Sequence, residues 1–146
     1  MPKGNEVREE LRTLGVLLGP PRKGAGLAGQ ERFTGCVVFP VQDPDGNLVT
    51  VYGRFTGESQ KRHVFLPGRS TGLWNAAALK TYPDLILVES VIDALSVMMA
   101  GHPNVLAIQG THGLSDIDLA LLRAHGARTV TLLLDGDEAG RKAAER

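Results

Sequence analysis

The sequence predicts an α/β protein: a doubly wound parallel sheet with flanking helices, preceded by a small β-rich unit. Three observations carry that reading. Continuous apolar runs recur at 85–88, 105–108 and 129–134, and runs without polar alternation mark parallel strands buried on both faces. Between them lie helical segments, 92–100 and 116–125, each opened by a serine (Ser90, Ser115) and followed by a glycine (Gly101, Gly126), the residues that cap helices. Upstream, β-rich runs at 36–41 and 48–52 flank Gln42-Asp43-Pro44-Asp45-Gly46-Asn47, a strong turn signal, so they read as a hairpin.

Taken in order, residues 6–18 read as an amphipathic helix, with Val7, Leu11, Leu14 and Leu18 at helical spacing. Residues 19–29 are rich in glycine and proline and read as a linker. Gly24, Gly26 and Gly29 form a formal G-x-G-x-x-G, but no strand precedes it and no helix follows, so it is no dinucleotide fingerprint. Pro40 places the first hairpin strand at an edge or bulge, and 63–68 adds a short third strand. Phe65 and Trp74 read as core anchors rather than base-stacking platforms, since no regular run of basic residues interleaves them. The chain thus divides into an N-terminal helix and linker (1–30), a basic β-rich subdomain (31–80) and an α/β domain (81–146).

Composition excludes several classes. With 146 residues, 42% apolar and 22% charged, the chain has the makeup of an ordinary globular domain. No apolar run approaches the length of a membrane span, and a charged segment stands where a secretory signal would carry its apolar stretch. The single cysteine, Cys36, forms no internal disulfide, and the four histidines offer no zinc-finger spacing. These features predict a cytoplasmic protein. Net charge is zero, but unevenly so: residues 1–80 hold 11 basic and 7 acidic side chains, and residues 81–146 hold 5 and 9. The sharpest basic stretch contains Arg54, Lys61, Arg62, Arg69 and Lys80; a solvated surface is its plainest reading and phosphate binding the sharper one.

Ligands of open parallel sheets bind at the carboxyl ends of the strands. There the sequence places Glu89 after the first strand, Gln109-Gly110-Thr111 after the second, and Asp135-Gly136-Asp137 after the third. Asp93, one turn into the first helix, lies on the same side. Two carboxylates about 4 Å apart repel by roughly 4 kcal/mol at a surface-like dielectric, so such a cluster calls for a cation. All-oxygen donors with no nearby Cys or His suit Mg²⁺ or Mn²⁺ rather than Zn²⁺. Asp93 also stands where it completes a capping box with Ser90, and Asp137 where it caps a helix over 138–146. Glu89 and Asp135 gain neither cap nor packing, and they are the strongest candidates. His102, His112 and His125 fall at turns or helix ends.

Glu89 with Asp93, followed by Leu132-Leu133-Leu134-Asp135-Gly136-Asp137-Glu138, resembles the paired acidic motifs of Toprim domains. Arg32-Phe33-Thr34-Gly35-Cys36-Val37-Val38-Phe39-Pro40-Val41, then Asp45-Gly46 and Tyr52-Gly53-Arg54, resembles the segment that precedes Toprim in bacterial-type DNA primases and their phage and plasmid relatives. The resemblance spans residues 32–146. It implies a Toprim-like, Rossmann-like parallel sheet and RNA primer synthesis on a single-stranded DNA template from ribonucleoside triphosphates, with a replicative helicase as a further partner. Glu89, Asp135 and Asp137 match the catalytic, metal-binding acids, and Asp93 the metal-binding acid of the first helix. Arg54 matches a basic residue of the nucleic-acid groove, with Lys61, Arg62 and Arg69 beside it. Three departures stand out: Ser90 replaces the family's usual glycine, the zinc-binding module is missing, and Arg146 comes before a last strand and acidic motif, making the domain C-terminally incomplete. The same acids allow a Toprim nuclease or a non-catalytic nucleic-acid-binding module as alternatives. A haloacid-dehalogenase-type phosphatase fits poorly, because its aspartate motif belongs to the first strand of the domain.

Overall fold

The computed structural model describes residues 4–19, 31–57, 63–68, 72–108 and 114–136. Two compact units emerge, one formed by Met1–Phe39 and Val51–Ser70, the other by Pro40–Thr50 and Thr71–Arg146.

In the first unit, helix α1 (Asn5–Thr13) is shorter than its apolar spacing predicts. Gly15 takes a left-handed φ of 75°, and a Cβ there would come within 2.4 Å of Pro67 Cδ. The chain therefore leaves the helix at a position that only glycine satisfies. Leu17 then pairs with Glu31 in an isolated antiparallel bridge, and the Arg32 side chain donates to the Gly15 carbonyl at 2.6 Å. Strands β1 (Cys36–Gln42), β2 (Leu48–Phe55) and β3 (His63–Phe65) follow, in the order β1-β2-β3. β1 is an outer strand, as Pro40 implied. β2 and β3 are antiparallel and pair Tyr52 with Phe65, Gly53 with Val64 and Arg54 with His63. On one face Tyr52 is buried against aromatic rings; on the other the Phe33 ring lies over Gly53, where a Cβ would meet it at 2.6 Å.

The second unit takes in the end of β1, the hairpin turn and the start of β2. Asp43 accepts the backbone N–H groups of Asp45 and Asn47 and the Asn47 side-chain amide, each at 2.9 Å. The Asn47 amide first, then the main-chain donors, hold the Asp43 carboxyl below its ordinary range. Strands β4 (Asp84–Val88), β5 (Val105–Ala107) and β6 (Thr129–Leu133) form a parallel sheet in the order β5-β4-β6. Helix α2 (Val91–Met99) links β4 to β5, and α3 (Asp116–Ala124) links β5 to β6. Both begin at the predicted serines, whose hydroxyls accept the N–H groups of Asp93 and Asp118.

Because side chains alternate along a strand, Leu85, Leu87, Leu106 and Ile108 share one face. They pack there with Leu122 of α3 and with Ala76, Ala78 and Leu79 of a 3-10 helix (Ala76–Lys80). Val88, Val105 and Ala107 are turned the other way and are fully buried, as are Val91 and Ala94 of α2, which lies against β4 and β5. Each fully buried leucine or valine contributes about 1.5–3 kcal/mol. The outer edge of β5 is sealed: Trp74 and Ala107 exchange backbone hydrogen bonds at 2.9 and 3.3 Å. Asn75, at a left-handed φ of 64°, also donates its amide to the Val105 and Pro103 carbonyls. β6 departs from expectation. Its apolar run predicts burial on both faces, yet Leu132 and Leu133 are 41% and 54% exposed. The reason is position: β6 is an outer strand whose one neighbour among the described residues is β4. Also among the described residues, no helix is long and apolar enough to cross a membrane.

Candidate functional site

The register of the parallel sheet places Val88 beside Leu133, so β4 and β6 run out side by side. Glu89 directly follows β4, and Asp135 comes two residues after β6. The two are joined: the backbone N–H of Asp135 donates to Glu89 Oε1 at 2.9 Å. Glu89 is half-buried and Asp135 exposed, and neither carboxylate makes an ion pair with a basic side chain among the described residues. One oxygen of Glu89 is thus held by the main chain, while its second oxygen and the Asp135 carboxylate stay available as hard donors.

Asp93 is half-buried in the first turn of α2. Its Oδ2 accepts the Ser90 hydroxyl at 2.6 Å, and its backbone N–H donates back to that hydroxyl at 3.3 Å. Ser90 therefore caps the helix through its hydroxyl, but the capping box that the sequence offered is only half formed: among the described residues the Asp93 carboxylate accepts the Ser90 hydroxyl rather than the Ser90 backbone N–H. Among the described residues, no three Asp, Glu, His or Cys side chains come together as a metal-binding group. Asp137, Gln109-Gly110-Thr111 and His112 lie outside the described residues. In the first unit, Arg54 is half-buried on β2, directly across from His63, and forms no ion pair with a described residue. Lys61, Arg62 and Arg69 lie outside the described residues. Sequence reasoning missed the Asp135 amide as the anchor of Glu89, because a backbone donor has no signature in residue type. It also missed His63, which only the register of β3 pairs with Arg54.

Residues 86–146 match the Toprim-like family model. The chain is 31% identical to the DNA primase of Deinococcus radiodurans over 144 residues, covering 92% of this chain and 24% of that protein. With the DNA primase of Escherichia coli K12 it shares 31% identity over 125 residues, covering 80% of this chain and 21% of the other. The chain carries a Toprim domain of the bacterial DNA primase type. Solved structures agree with this primase-type domain. The DnaG catalytic core superposes with a TM-score of 0.77 at 25% identity, over 99% of this chain and 46% of that one. The Aquifex aeolicus primase, with its zinc-binding and RNA polymerase domains, gives 0.80 at 29% identity over 98% and 36%. The DnaG catalytic domain bound to single-stranded DNA gives 0.76 at 24% identity and shows the same fold. The primase-type chain spans about a quarter or less of the curated relatives quoted.

Proposed function

We propose that this chain belongs to the catalytic machinery of RNA primer synthesis, metal-dependent nucleotidyl transfer on a single-stranded DNA template in the cytoplasm. The observation that carries the proposal is the Asp135 N–H to Glu89 hydrogen bond, which ties together the acids at two strand ends. Relatives named DNA primases, and a structural neighbour described as bound to single-stranded DNA, support the choice of reaction.

The donor set fits Mg²⁺ or Mn²⁺: carboxylate oxygens without a basic partner among the described residues, at the ligand-binding end of a parallel sheet. Glu89 and Asp135 would hold the ion, with Asp137 and Asp93 as further donors. When bound, the ion lowers the pKa of a primer hydroxyl and offsets charge on the nucleotide phosphates. The Asp135 amide keeps Glu89 oriented, so the carboxylate need not reorganise when a cation arrives. Ser90 holds one oxygen of Asp93 in the helix cap and leaves the other for a ligand. Arg54 contributes a sequence-independent, salt-sensitive phosphate contact, with Lys61, Arg62 and Arg69 adding to it. Overall the hydroxyl attacks the α-phosphate of a ribonucleoside triphosphate and pyrophosphate leaves. A replicative helicase would deliver the template.

The test incubates the full chain with labelled single-stranded DNA, ribonucleoside triphosphates and Mg²⁺. Strand-templated RNA is the expected product, and Glu89→Gln or Asp135→Asn should lower its yield about 100-fold or more without changing the circular dichroism spectrum. Wild-type synthesis by either variant, or no product from the wild type, overturns the proposal. Shortening of the labelled strand replaces it with a hydrolytic reading.

A further inference from the structure

The antiparallel sheet carries a row of aromatic rings whose outer end core packing does not explain. The register sets Tyr52 across from Phe65 and Arg54 across from His63, and alternation puts these four side chains on one face. Tyr52 is the hub, with ring centroids 5.2 Å from Phe65, 6.0 Å from Phe39 and 6.3 Å from His63. His63 meets Phe65 edge-on at 6.0 Å. Exposure rises along the row: Tyr52 is buried, Phe39, Phe65 and Arg54 are half-buried, and His63 is exposed. Burial accounts for Tyr52 and in part for the two phenylalanines. It leaves open why an exposed ring stands at the end of the row, beside a guanidinium with no ion pair among the described residues.

We propose that this face is a stacking platform for a base of single-stranded nucleic acid, with His63 beneath the base and Arg54 on the adjoining phosphate. The proposal rests on the nucleic-acid reading above and adds a stacking residue to it. Charge selects the ligand: β1, β2 and β3 contain no Asp or Glu at all, and residues 1–80 hold 11 basic against 7 acidic side chains, so an anionic polymer meets no repulsion from these strands. Ring chemistry selects the single strand, because a base within a duplex already has both faces stacked.

The test is anisotropy of a fluorescein-labelled single-stranded oligothymidylate titrated with the full chain at several salt concentrations. His63→Ala should weaken binding about five-fold or more with an unchanged salt slope, since stacking releases no counterions. His63→Phe should restore wild-type affinity and His63→Lys should not. Arg54→Ala should weaken binding and reduce the salt slope by about 1. Wild-type affinity in His63→Ala, or rescue by Lys but not Phe, overturns the platform while leaving the nucleic-acid reading intact. Failure of the wild-type chain to bind the oligonucleotide overturns both.

Discussion

The two sheets of this molecule divide its chemistry. The antiparallel sheet has no acidic residue on its strands and exposes a histidine next to an arginine. The parallel sheet has largely apolar strands; apart from Asp84, which opens β4 and pairs with Arg128, its acids Glu89 and Asp135 stand just past the strands' carboxyl ends, joined by a backbone hydrogen bond. A net charge of zero hides this division, because the basic and acidic halves cancel. The lesson is that charge must be read by structural unit. One sheet should respond to salt and the other to divalent cations, and each response should be separable by mutation.

The largest stability effect should fall on the parallel sheet. Leu87 is completely buried in its core, and Leu87→Ala should cost about 2–5 kcal/mol in urea unfolding. Truncating Val38, 44% exposed on β1, should cost less than about 0.5 kcal/mol. Equal losses at the two sites would contradict the placement of the core. Next comes the cap beside the acids: Ser90→Ala removes the hydroxyl that binds both the N–H and the carboxylate of Asp93 and should cost about 1 kcal/mol, with Ser90→Thr recovering most of it. The smallest effect has the opposite sign. Thr50 on β2 is 2% exposed and its hydroxyl has no hydrogen-bond partner among the described residues, so Thr50→Val should raise stability by about 1 kcal/mol; a fall of that size would mean the hydroxyl is satisfied.

Much of this division was legible in the sequence, because its causes are local. The Asp43 turn, the serine caps and the apolar runs each follow from residues a few positions apart. Features set by distant segments were not legible. Gly15 ends α1 early where Pro67 packs against it, and nothing near Gly15 announces Pro67. The sealing of β5 by Trp74 and by a left-handed Asn75 joins residues about 30 positions apart. Glu89 and Asp135 were both singled out from their strand ends, but their direct link runs through a main-chain amide, which residue identity does not encode. The exposure of β6 depends on strand order, which apolar content alone does not set.

The most direct measurement is a titration of Mn²⁺ into the full chain, with free ion followed by electron paramagnetic resonance, for the wild type, Glu89→Gln and Arg54→Ala. If the parallel sheet holds the cation and the antiparallel sheet does not, the wild type and Arg54→Ala should bind Mn²⁺ equally and Glu89→Gln should lose at least ten-fold in affinity, about 1.4 kcal/mol. A wild-type chain that leaves Mn²⁺ free, or a Glu89→Gln variant that binds it as tightly as the wild type, would contradict the assignment of the strand-end acids.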